Sequence, residues 1–279
     1  MTFDWNEWLQ IAARWIHVFA GIMWVGQTYF FTWLDGQFVE LEKEAKADDH
    51  ARLPESALAD GGQVWMVHSG GFYLVDKQKK PKLMPSKLHW FKWEAAITWL
   101  SGITLLILVY YLGGLMVDEG MSETTPMLVG IATIILSWPL YDFLWRSKLA
   151  ANETAGVVIS YVLLVGIIYM LTHMMGGRAA YMHVGALLGT IMTANVWQRI
   201  LPAQRKLVAA LNAGKEPDLA LGEQAKKRSK HNTFMAVPVV FIMISNHYPV
   251  TSYGDEWNWI ILSVLILVGW GAAKVIRRA

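Results

Sequence analysis

The sequence predicts an all-α integral membrane protein with seven transmembrane helices, its N-terminus outside, its C-terminus inside, and a structured cytoplasmic insertion at 34–93. Three observations carry that reading. Of the 279 residues, 54% are hydrophobic and 16% charged, with a mean hydropathy of +0.32, whereas a soluble domain carries about 25% charged residues. Fifteen Trp, ten Tyr and ten Phe suit a chain with two bilayer interfaces to anchor. Lys and Arg are gathered into alternate gaps between the apolar stretches. The composition excludes a disordered chain and argues against an ordinary soluble enzyme. There is no cysteine, which excludes disulfides, thiolate metal sites, iron–sulfur clusters and CxxCH haem attachment within these residues. A net charge of +2 is too small to suggest a nucleic-acid partner.

A hydrocarbon core of ~30 Å is crossed by about 20 mostly apolar helical residues. Seven stretches meet that requirement: 10–33, 94–113, 126–145, 155–175, 179–200, 233–248 and 257–275. The third carries Trp138-Pro139 and is expected to bend there. The sixth is short and contains Pro238, so a kink supported by neighbouring helices is expected. Asp4 and Glu7 stand where a secretory signal would be basic, and the apolar run that follows is too long for a signal core. The chain reads as one transmembrane domain, 1–279, with no internal repeat.

Sidedness follows from the basic residues. Of the 24 Lys and Arg, 22 lie in 34–93, 145–154, 199–232 and at the C-terminal end. The opposite side keeps Asp4, Glu7, Asp118, Glu119, Glu123, Asp255 and Glu256. The positive-inside rule then sets the N-terminus outside and the C-terminus inside. The inner segment 201–231, with KKRSKH at 226–231, reads as a solvated basic connector. The 34–93 loop is richer. A charged helical stretch at 39–53 is followed by GGQVWMVHSGGFYLVDKQKKP at 61–81, whose alternation and paired glycines resemble a β-hairpin. An aromatic and basic run, KLHWFKWEAAITW at 87–99, then leads into the second span.

Ionisable residues inside a membrane are functional candidates by default. His17, His173, His183 and His247 map to the outer half of the spans. At 1.5 Å per residue His17 lies ~9–13 Å deep and His183 ~7 Å, so the two are expected to face one another at one level. Arg14 and Arg178 are the two basic residues outside the inner pool, and each is close in sequence to these histidines. Haem b needs axial histidines and cationic partners for its propionates. A haem b near the outer face, with His17 and His183 as iron ligands, accounts for the four histidines and two arginines together. A bound copper or other divalent metal is the competing ligand, and packing histidines with interfacial arginines are the bland alternative.

The inner half has its own polar set: His68, His89, His231, Glu94, Asp142, Asn195, Gln198 and Arg199. A planar, anionic, hydrogen-bonding ligand suits such a vestibule. Arg199 and Lys92 supply charge, Gln198 and Asn232 supply edge contacts, and His231 or Glu94 is placed to accept a proton. Helix-end charges reaching for inner headgroups are the alternative for Asp142, Arg199 and Lys92.

Four strings carry a family resemblance: RWIHVFAGIMWVGQTYFFTW (14–33), HSGGFY (68–73), KLHWFKWEAAITWLSG (87–102) and KHNTFMAVPVVFIMISNHYP (230–249). Together they resemble the membrane domain of the bacterial membrane-bound urate oxidase (urate hydroxylase) family. The resemblance implies a multi-pass protein of the bacterial inner membrane that oxidises urate to 5-hydroxyisourate in purine breakdown. It also implies cytochrome c as electron acceptor, often as a fused C-terminal domain. The sequence to Ala279 contains no such domain, so the acceptor is expected to be a separate protein, or to follow an eighth span. One haem near the outer face leaves a gap to a substrate at the inner mouth. A second haem using His68, His89 or His231, or a deeper urate site, is expected to close it. Two other classes compete: a b-type cytochrome that only relays electrons, and a metal or ion transporter built on the intramembrane histidines.

The charge split makes a direct prediction. A dual reporter fused at Ala279 should behave as cytoplasmic in a bacterial host; periplasmic activity would reverse the sidedness.

Overall fold

A computed structural model describes residues 4–47, 62–78, 81, 85–117, 122–254 and 256–277. Helix α1, Trp5–Ala47, has 43 residues and is about 64 Å long, twice the thickness of a hydrocarbon core. Its apolar part and the charged stretch from 39 form one continuous helix as far as Ala47; residues 48–53 lie outside the described set. Strands β1, Gln63–His68, and β2, Gly71–Asp76, form an antiparallel hairpin. Ser69 and Gly70 have φ of 49° and 76°, the two successive left-handed residues of a type I′ turn that matches strand twist.

Helix α2, Trp93–Leu106, widens into a π-helical turn at Ile107–Tyr111. Helix α3, Thr124–Arg146, continues through Pro139. Helix α4, Glu153–Met174, is capped by Asn152, whose side chain accepts from the amides of Thr154 and Ala155 at 2.9 and 3.2 Å. Helix α5, Gly177–Asn195, ends in a second π-helical turn, Val196–Ile200, and leads into α6, Leu201–Asn212. Helix α7, Leu219–Ser245, is capped by the Asp218 carboxylate. Its Pro238 ring packs on Gly269 of α8, Asn258–Ile276, where a Cβ would stand 2.9 Å from the ring. A glycine is required there because the proline ring occupies the space a side chain would need.

Helix α5 is the axis of the bundle. It is buried along its length and packs against α2, α3, α4 and α7. Gly185, Ala179, Ala180 and other small residues let its neighbours approach closely, as in membrane helix packing. Among the described residues, five helices are long and apolar enough to cross a membrane: those within Trp5–Glu44, Trp93–Tyr111, Thr124–Arg146, Glu153–Met174 and Asn258–Ile276. Helices α5 and α7 are less apolar because the bundle, rather than lipid, surrounds much of them. The outward faces of the five carry exposed Trp15, Phe19, Ile22, Ile135, Phe143, Val162 and Val268, a surface suited to hydrocarbon rather than water. The segment 201–231, expected as a solvated connector, is mostly helical, and it delivers a buried arginine to the bundle.

Candidate functional site

The C-terminal end of α3, the turn that follows α5 and the N-terminal half of α7 meet at a buried carboxylate. Asp142 accepts from Arg199 Nε at 2.8 Å through Oδ1 and from the same guanidinium through Oδ2. Arg228 Nη2 donates to Oδ1 at 2.9 Å, and Arg146 Nη1 lies 3.8 Å from Oδ2. A buried charge persists only when it is paired and hydrogen-bonded, and here one carboxylate holds three arginines. The π-helical turn Val196–Ile200 presents Arg199, its extra residue re-aiming side chains at the end of α5.

Tyr141, next in sequence to Asp142, organises the other side. Asn195 Nδ2 donates to the Tyr141 hydroxyl at 3.2 Å and to Asn232 Oδ1 at 3.0 Å, and Asn232 Nδ2 donates to the Met192 carbonyl at 2.9 Å. The Tyr141 hydroxyl also lies 2.5 Å from His231 Nδ1, and we assign the phenol as the donor of that bond. His231 is then the tautomer that carries hydrogen on Nε2. Trp145 packs 4.1 Å from the His231 ring, and the Arg228 guanidinium lies 4.9 Å over the Tyr141 ring. Burial above all, then the Arg228 and Lys227 cations, push His231 down to about 3, with Glu153 opposing. The imidazole is neutral at physiological pH.

Three buried polar atoms around Tyr141 have no hydrogen-bond partner: Arg228 Nη1, Asn195 Oδ1 and His231 Nε2. Two are donors and one is an acceptor. Unpartnered buried polar groups cost about 1–3 kcal/mol each, so these three, unpartnered among the described residues, have hydrogen-bonding capacity to spare for a water or another polar molecule. A second set lies beside it at the start of α2. Lys92 Nζ sits 5.3 Å over Trp93 and 5.8 Å over Trp197, and Glu94 Oε2 is buried without a partner.

Of the residues expected from sequence, His231 and Asn232 join the Tyr141 network, and Arg199 is committed to Asp142. Glu94 and Lys92 belong to the adjoining tryptophan cluster, and Gln198 is exposed. Tyr141, Trp145 and Arg228 were not among the expected site residues. The i, i+3, i+4 spacing of Arg228, His231 and Asn232 was the available signal for Arg228. His68 is exposed at the hairpin tip and His89 is exposed in the return segment, so neither joins the inner site.

The outer histidines sit differently from expectation. His17 Nδ1 bonds the Thr98 carbonyl at 2.9 Å, with Ser101 Oγ at 3.2 Å, and its ring lies against Gly102. His183 is fully buried against Gly130. It donates from Nδ1 to the Ala179 carbonyl at 2.7 Å and accepts at Nε2 from the Tyr111 hydroxyl at 2.9 Å. The two histidines therefore contact α2 about eight residues apart, ~12 Å along the helix, and do not share one level. Arg178 donates to Asn246 Oδ1 at 2.8 Å, and Arg14, exposed on α1, donates to Gln10 Oε1 at 3.1 Å. His173 is exposed against Tyr169, and His247 is exposed. A haem sandwiched between His17 and His183 does not fit this arrangement, because the levels differ and His183 Nε2 is already engaged. Among the described residues no group of three or more His, Asp and Glu side chains is placed to hold a metal ion.

Fold and site define a helical bundle with a lipid-suited exterior and an arginine-lined polar site at one end. The chain belongs to the Urate oxidase N-terminal family, which it matches over residues 4–278. No curated protein and no solved structure matches it.

Two outcomes follow from the site. Asp142→Asn leaves three arginines facing a neutral group and should destabilise the fold by about 3–5 kcal/mol, read as a lower melting temperature in detergent. The depressed His231 means that the unfolded chain binds the extra proton between about 3 and the ordinary 6.5. Stability should therefore fall as pH drops through that window. His231→Gln should flatten this acid dependence in melting curves taken from neutral to mildly acid pH.

Proposed function

We propose that this chain binds and oxidises urate at the inner, cytoplasmic end of a seven-span bundle formed by α1, α2, α3, α4, α5, α7 and α8. The observation that carries the reading is the donor, acceptor and donor left unpartnered around Tyr141 in a chain of a urate oxidase family. The ring edges of urate offer alternating carbonyl oxygens and N–H groups, complementary to that set. Arg228 Nη1 meets the anionic oxygen, Asn195 Oδ1 accepts from a ring N–H, and His231 Nε2–H donates to a second oxygen. The second charged hydrogen bond of Arg228, to Asp142, holds its guanidinium in place.

In the proposed reaction, water adds its oxygen at C5 of urate and gives 5-hydroxyisourate, releasing two protons and two electrons. His231 enters as a donor, since its Nε2 already carries hydrogen and Nδ1 is occupied by Tyr141. Glu94, with an unpartnered buried oxygen, is the candidate acceptor for a proton from the adding water. The proposed electron acceptor is cytochrome c on the opposite face. There Asp4, Glu7, Glu123 and Glu256 form an acidic rim complementary to a basic protein surface; Asp118, Glu119 and Asp255 lie outside the described residues. His17 and His183 are engaged by Thr98, Ala179 and Tyr111 and do not bracket one iron site for a haem b.

The test uses the full chain in lipid nanodiscs. Urate should bind in equilibrium dialysis, and added cytochrome c should be reduced in proportion to urate consumed, two per urate. Arg228→Gln should weaken urate binding roughly 10- to 100-fold, the loss of one charged hydrogen bond. Absence of urate binding by the folded wild-type chain would overturn the proposal.

A further inference from the structure

The β1–β2 hairpin has two apolar faces, of which the bundle uses one. Val64, Met66 and Val75 pack on Leu34, Phe38 and Leu41 of α1. On the other face the cross-strand pairs Trp65–Leu74 and Val67–Phe72 stand side by side. These four residues are 67%, 46%, 70% and 78% exposed. Cross-strand neighbours on one face form a continuous surface, so this is a patch rather than scattered side chains. Nothing in the urate reading uses it.

The position of the hairpin along α1 says what covers it. Leu34, Phe38 and Leu41 follow directly on the apolar stretch that ends at 33. At 1.5 Å per residue they stand ~2–12 Å beyond the hydrocarbon edge, at or just past the headgroup zone of ~5–8 Å per leaflet. Two further contacts hold the hairpin and its return segment there. Lys77 pairs with Asp35 and lies 5.5 Å over the Phe38 ring. On the return path Phe91 meets Phe31 edge-on at 5.0 Å just before α2 begins. The chain from 77 to 92 carries Lys77, Lys79, Lys80, Lys82, Lys87 and Lys92 and no Asp or Glu. Aromatic and aliphatic side chains at headgroup depth, followed in the sequence by a run of lysines, match the chemistry of an anionic lipid surface.

We propose that the hairpin is a membrane-surface anchor. Trp65, Val67, Phe72 and Leu74 seat at the headgroup–acyl boundary of the cytoplasmic leaflet, and the lysine run binds anionic phospholipid headgroups. The anchor holds the inner ends of α1 and α2 to the bilayer surface at the side from which substrate is proposed to enter. It does not depend on urate being the substrate, only on α1 crossing the membrane.

The absence of cysteine makes the test clean. Val67→Cys, Phe72→Cys and, as a control in the exposed α6–α7 connection, Lys215→Cys each receive a nitroxide label in the full chain. The labelled proteins are reconstituted at high dilution in phosphatidylcholine vesicles with or without phosphatidylglycerol. With phosphatidylglycerol present, labels at 67 and 72 should collide with dissolved oxygen and be shielded roughly fivefold or more from a water-soluble nickel chelate, as an interfacial face requires. The label at 215 should stay open to nickel. Replacing Lys77, Lys79, Lys80 and Lys82 together by Gln should remove the phosphatidylglycerol dependence. Labels at 67 and 72 as open to nickel as that at 215 would overturn the proposal. Shielding that appears only as protein density rises would overturn it in favour of a second copy of the chain.

Discussion

The inner half of the bundle is organised by one buried carboxylate. Asp142 on α3 holds Arg199 of the α5 extension and Arg228 of α7, so three helices that are remote in sequence share a single charge. In a low-dielectric interior neither the carboxylate nor the arginines can stay without a partner. The pairing therefore fixes helix rotation as well as proximity. Tyr141 inherits its direction from this clamp, and through Tyr141 so do Asn195 and His231. The guanidinium of Arg228 has one arm on Asp142 and, among the described residues, no partner for the other, the arm that the proposed function gives to urate.

The hydrogen-bond order around Tyr141 carries more chemical information than the residue identities do. Asn195 spends both amide hydrogens, one on Tyr141 and one on Asn232, which fixes its carbonyl oxygen as the free group. With the phenol assigned as the donor to His231, the histidine tautomer is set as well. Of the two proton acceptors that sequence reading offers, the proposed reaction therefore uses Glu94, with His231 as a donor. Buried networks of this kind specify one arrangement because every alternative leaves a further polar group unpaired.

The outer half follows a different logic. Gly102 and Gly130 each lie flat against an imidazole, and each ring is held by a backbone carbonyl of a helix. Both histidines knit α2 to its neighbours, His17 from α1 and His183 from α5. Tyr110 and Tyr111 both meet the His183 ring edge-on, so this cluster is aromatic, set apart from the Asp142 site by the middle of α2 and α5.

The sequence by itself determined the helical class, the apolar segments, the asymmetry of charge and, through its motifs, the family, because hydropathy and charge segregation are properties of runs of residues. It also located the inner polar pool and named His231, Asn232 and Arg199 within it. The one-level pairing of His17 and His183 failed because depth counted from helix ends ignores where a neighbouring helix starts. Gln198 stands exposed in the π-helical turn at Val196–Ile200, outside the Tyr141 network. Arg228 was hidden in a run of basic residues that looks solvated, and only packing shows that one of them, at 7% exposure, faces inward. Which arginine meets Asp142, which nitrogen of His231 carries hydrogen, and which face of the hairpin stays uncovered were decided by tertiary structure alone. Each depends on the relative rotation of elements far apart in the chain, and local pattern does not encode that rotation.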